Sequence, residues 1–97
     1  MLNSKQRANL RSLAQKVEPV TQIGKSGITD SLLDSLDKAI EKRELIKVTV
    51  LENSDVDAKE AGFVISEKLS AEFVCAIGRK IVLYRRSNDE KIAHIEF

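Results

Sequence analysis

Leu10, Leu13, Ala14 and Val17 recur at three- and four-residue spacing, which predicts a helix over Leu2 to Val17. Asn3 followed three positions later by Gln6 supplies a capping pair for its start. Pro19 interrupts the helical pattern, and Val20-Thr21-Gln22-Ile23 reads as a short extended segment that runs into Gly24-Lys25-Ser26-Gly27. A second helix opens at Thr29, whose hydroxyl is placed to accept a free backbone N–H, with Ile28 and Leu33 positioned as a hydrophobic staple. Leu32, Leu33, Leu36, Ala39 and Ile40 form its apolar stripe, and it ends near Arg43-Glu44.

Leu45 to Leu51 then alternates, with Ile46, Val48 and Val50 on one face and Lys47 and Thr49 on the other, the period of a strand. After a polar connection at Asn53 to Asp57, Ala58, Ala61, Ile65 and Leu69 define the inner face of a third helix over Asp57 to Ser70, which Gly62 weakens slightly. Phe73 to Ile77 and Ile81 to Tyr84 are two β-rich runs joined through Gly78-Arg79-Lys80, a hairpin with glycine where positive φ is required. Asn88 to Phe97 reads as a polar tail beyond a folded unit of residues 1–87, with His94 in it as an exposed polar residue.

Two strand–helix–strand units followed by a hairpin predict a compact α/β (α+β) domain of order α-β-α-β-α-β-β, with a mixed four-stranded sheet and helices packed on it. At 97 residues the chain is long enough for one modest core and too short for two domains. With 42% hydrophobic and 32% charged residues it falls among globular rather than disordered chains. No apolar run spans a membrane and the N-terminus has no signal-peptide pattern. The single Cys75 makes no internal disulfide and no Cys/His cluster has metal-ligand spacing, so neither metal nor cofactor is expected and the natural setting is a reducing cytoplasm. Without a heptad repeat, a monomer is the default.

Charge changes the picture once it is resolved along the chain. The formal net charge is only +1, which taken alone argues against nucleic acid. Residues 1–28 carry five cations and one acid, 29–72 six cations and eleven acids, 73–88 four cations and no acid, and 89–97 one cation and three acids. If the first helix, the glycine loop and the final hairpin share a side, their cations form the surface that a nucleic-acid backbone requires, with an acidic back behind it.

Gly24-Lys25-Ser26-Gly27 lies between a predicted strand and a helix start, where two glycines allow close backbone approach, free N–H groups favour an anion and Lys25 adds charge. A GxxG loop of this kind clamps nucleotides in KH domains. Gly24-Lys25-Ser26 also matches the end of a P-loop, but Pro19 stands where its first glycine belongs and Val20 to Ile23 reads as strand. His94 has no Ser or Cys partner, and Cys75 lies in an apolar strand, so no catalytic constellation emerges. Asp30, Asp34, Asp37 and Glu41 repeat along the second helix, as a solvated face or as a docking face for a protein partner.

These blocks together resemble the CRM domain family, named for chloroplast RNA splicing and ribosome maturation, and within it the stand-alone bacterial YhbY-type proteins. Lys5-Gln6-Arg7 with Leu10-Arg11-Ser12-Leu13-Ala14 is similar to the family's opening helix, and Pro19-Val20 with Gln22 to Gly27 to its strand and GxxG loop. Arg43 to Val48 resembles the lead-in to its second strand, and Ile77 to Arg85 its final hairpin. The resemblance implies a fold similar to the C-terminal domain of translation initiation factor three, non-enzymatic binding of structured ribosomal RNA, and association with precursors of the large ribosomal subunit. The positions it carries over are Gly24, Lys25, Ser26 and Gly27 of the loop, Lys5, Arg7 and Arg11 of the first helix, and Arg79, Lys80 and Arg85 of the hairpin. With only four aromatics, Phe63, Phe73, Tyr84 and Phe97, the first two read as core, broad base stacking is disfavoured and recognition by shape is expected.

Overall fold

Asn3 closes the start of the first helix reciprocally: its side-chain oxygen accepts the Gln6 N–H at 2.8 Å, and Gln6 Oε1 accepts the Asn3 N–H at 3.1 Å. The computed structural model describes residues 2–97, and in it this helix, α1, spans Ser4–Ala14. It stops short of Val17 because the last turn tightens, with N–H groups of Gln15, Lys16 and Val17 each bonding three residues back. Strand β1 (Pro19–Ile23), helix α2 (Asp30–Arg43), strand β2 (Leu45–Val50), helix α3 (Ala58–Leu69) and strands β3 (Glu72–Ile77) and β4 (Lys80–Tyr84) follow in the expected order. Thr29 Oγ1 caps α2 by accepting the Leu32 N–H, and Asp57 caps α3 by accepting that of Glu60.

The sheet order is β1-β2-β4-β3, with β1 and β2 parallel and the other two pairings antiparallel. The first crossover therefore joins neighbours. The second does not: β4 turns back from β3 at Gly78 (φ +59°) and fills the place between β3 and β2.

Helices α2 and α3 cover one face, burying Leu36, Ile40, Ala61 and Ile65 against Ile23, Ile46, Val48, Val50, Ile81 and Leu83. Helix α1 covers part of the other, with Leu10 and Ala14 against Leu45, Val74, Val82 and Tyr84. Helices on both faces explain why β4 is apolar at every position from Ile81 to Tyr84 while β2 alternates. The α1 side of β2 is only partly roofed, which leaves Lys47 and Thr49 half-buried. Each fully buried aliphatic side chain contributes about 2 kcal/mol. Leu13, read as inward, is 41% exposed, because α1 buries only the narrower Leu10–Ala14 line. Phe63, read as core, is 52% exposed and lies against the ring of Phe73 at 4.6 Å.

The C-terminal segment is not a free polar tail. Ile95 and Phe97 pack on the α1-side core, with the Phe97 ring edge-on to Tyr84 at 4.8 Å. Glu44, the C-cap of α2, is completely buried and holds this segment through its carboxylate. That carboxylate accepts the N–H groups of Ser87 and Ile95, each at 2.7 Å, and meets His94 Nδ1. His94 is thus a structural partner rather than an exposed residue, a pairing that 50 intervening positions conceal.

Burial pushes the Glu44 carboxyl up, but the hydrogen bonds from His94, Ser87 and Ile95 outweigh it and hold the group below its ordinary value of 4.5. A carboxyl lowered in the folded state stabilises fully above the unfolded value and loses that contribution as the pH falls through the folded one. Acid titration followed by circular dichroism is therefore expected to show stability falling below about pH 4.5, less steeply in Glu44→Gln. Equal slopes in the two proteins would exclude Glu44 as a source of the acid sensitivity.

Candidate nucleic-acid interface

The Gly24–Gly27 loop is a four-residue turn closed by the Gly27 N–H donating to the Gly24 carbonyl at 3.0 Å, with Lys25 and Ser26 exposed at its corners. Gly27 sits at φ +68°, a left-handed conformation that favours glycine. Gly24 has ordinary φ, and a Cβ there would make an unstrained contact with Leu51, so openness to a partner rather than backbone conformation is what a side chain would cost at that position. The Thr29 cap already uses one N–H at the start of α2, and Asp30 follows it, so an anion here would rest chiefly on the loop and Lys25. Val20 to Ile23 is paired strand, which leaves no phosphate-cradling loop of P-loop length.

Strand register places this loop and the hairpin turn at one end of the sheet: Ile23 lies beside Val50, Thr49 beside Lys80, and Lys80 beside Ile77. Arg79 is at that end too, its guanidinium donating to the Leu51 carbonyl at 3.4 Å in a cleft also lined by Asp55 and Asp57. The charge of Arg79 is therefore partly offset.

A second group of cations lies on the α1 side, where no ion pair engages them among the described residues. Arg11, Lys47 and Lys80 surround one groove between the end of α1 and the sheet. Arg7 and Arg11 line a second hollow along α1 with Val74 and Cys75. Arg7 donates to the carbonyls of Phe73 and Val74, and Lys5 is exposed in the first turn of α1. Burial pushes the Cys75 thiol up, and the positive charges of Arg11, Arg7 and Lys47 only partly oppose it, which is unfavourable for a nucleophile. Lys47 was absent from the sequence-derived set. The signal was the polar half of the β2 alternation, which has meaning only once the limited reach of α1 is known.

Arg85 does not join this surface. Its guanidinium donates to Asp37 Oδ1 at 2.7 Å, to the Leu69 carbonyl at 2.9 Å and to Glu41 Oε2 at 3.3 Å. Glu41 also accepts the Ser87 hydroxyl and the Asn88 N–H. The Ser87 and Asn88 bonds together outweigh desolvation and, with Arg85, hold the Glu41 carboxyl below its usual range. Among the described residues, no group of three His, Cys, Asp or Glu side chains is placed to hold a metal ion, and no helix is long and apolar enough to cross a membrane.

The family model of the CRS1 / YhbY (CRM) domain matches residues 2–85. The chain belongs to the CRM domain family. This CRM domain is 38% identical over 91 residues to the Bacillus subtilis protein named Probable RNA-binding protein YqeI, covering 94% of this chain and 95% of that one. It is 36% identical over 93 residues to a Haemophilus influenzae protein named RNA-binding protein, covering 94% and 92%. The solution structure of a Staphylococcus aureus hypothetical protein superposes on the CRM domain with a TM-score of 0.79 at 44% identity, over 98% of this chain and all of that one.

Proposed function

We propose that the domain binds structured ribosomal RNA and acts, without catalysis, in assembly of the large ribosomal subunit in the cytoplasm. The observation that carries the RNA contact is the groove ringed by Arg11, Lys47 and Lys80, with no carboxylate among its lining residues. The Gly24–Gly27 loop, at the same end of the sheet, extends the contact through backbone N–H groups and Lys25. Relatives named for RNA binding support the ligand class, and the resemblance to YhbY-type proteins supports the ribosomal setting. Phosphate contacts of this kind supply affinity and register and leave selection to the shape of the RNA.

A docking role for the acidic helix is less well supported, since Asp37 and Glu41 are engaged with Arg85 and Asp34 pairs with Lys38 at 3.1 Å. The test is RNA affinity by fluorescence anisotropy across a salt series, with sedimentation of the protein alongside large-subunit precursors. Lys25→Glu and Arg11→Glu are each expected to weaken binding about tenfold and to reduce the salt slope by about one. Arg85→Gln, measured well below its melting point, is expected to leave affinity unchanged. Undiminished binding in both charge reversals would overturn the proposed surface.

A further inference from the structure

We infer that the groove between the last turn of α1 and the adjoining ends of β2, β3 and β4 receives one unstacked pyrimidine of an RNA strand. This rests on the RNA-binding reading and adds a ligand class to it.

The floor of the groove is apolar, formed by Ala14, Ile77 and Val82. Ile77 is 49% exposed at the end of β3, a large aliphatic surface left open beside three cations. The volume is about 120 Å³. An apolar cavity of about 150 Å³ accepts a benzene ring, so this smaller, partly open groove holds no more than one six-membered ring and leaves the second ring of a purine outside it. Gln15 stands at the rim, and its amide carries both a donor and an acceptor, the pair that the edge of a pyrimidine presents in return. Arg11, Lys47 and Lys80 surround the floor where the phosphates flanking an inserted base would run. Lys47 is half-buried at the groove, and a lysine so placed can lay its apolar stem against the wall while its ammonium reaches water. The floor is aliphatic, so the base gains apolar contact without aromatic stacking, and the contribution is to selectivity more than to affinity.

The test is an amide-detected NMR titration of the full chain with the tetranucleotides of uridine and of adenosine, and with uridine and adenosine monophosphates. The uridine tetranucleotide is expected to shift the Gln15, Lys47 and Ile77 amides and to bind about fivefold tighter than the adenosine one. Gln15→Ala and Ile77→Glu, both at exposed positions, are expected to erase that preference while leaving the remaining spectrum in place. Uridine monophosphate saturating the same amides as readily as the tetranucleotide would assign the groove to free nucleotides and overturn the RNA-strand assignment. Shifts confined to the Lys25 and Ser26 amides, or equal affinity for the two tetranucleotides, would overturn the groove and leave the broader RNA reading standing. No shift with any oligonucleotide, together with no binding to ribosomal RNA, would overturn both.

Discussion

Glu44→Ala is expected to destabilise the domain by about 3 kcal/mol and to detach its C-terminal segment. The side chain is fully buried, and truncation strands the N–H groups of Ser87 and Ile95 and the ring of His94. For a domain of this size the melting temperature should fall by about 15 °C. The backbone supplies a control. Glu44 lies at φ +65°, where a residue with a Cβ is strained. Glu44→Gly loses the same carboxylate but relieves that strain, and should be about 1 kcal/mol more stable than the alanine variant. Thermal melts of the three proteins, with the Ile95 and Phe97 amides followed by NMR, decide the matter. An alanine variant that melts like the parent with the segment still docked would remove Glu44 from its role.

The second large effect is expected at Gly62. A Cβ there would come within 2.3 and 2.6 Å of Phe73 ring carbons and 3.1 Å of Ile81 Cγ2, because α3 meets the sheet closely at this point. Gly62→Val should destabilise by about 3 kcal/mol through overpacking. In Gly62→Ala the clash competes with a helix-propensity gain of about 1 kcal/mol. Combining Gly62→Ala with Phe73→Leu opens the space and should give a double variant more stable than the sum of the single changes predicts. Strict additivity in denaturant unfolding would show that the Phe73 ring moves aside at no cost, and that the glycine is not required for packing.

These two positions show what the amino-acid pattern conveys and what it hides. The seven elements were legible because their periods are local: the Leu32–Ile40 stripe and the Ile46–Val50 alternation each report one face against one core. Gly62 reads from the chain only as a weak helix former, since the ring that excludes a side chain there arrives on β3. Glu44, His94 and Arg85 were misjudged or missed for the same reason. Each takes its meaning from carboxylate-centred bonds 43 to 51 positions apart, and a charged residue at the end of a run of cations gives no local sign that it is committed to carboxylates on another helix. Of the candidate interface, the turn and the α1 cations were readable from composition and spacing, whereas Lys47 and the groove floor depend on how far α1 reaches across the sheet.

Arg7 carries a consequence of another kind. Strand β3 is an outer strand of the sheet, and its register slips between Phe73 and Cys75 where Arg7 bonds the two carbonyls. An irregular edge with a guanidinium seated on its acceptors is a poor template for a foreign strand. One cation on the α1 side thereby acts as a guard against edge-to-edge aggregation, and replacing it is expected to expose the protein to self-association.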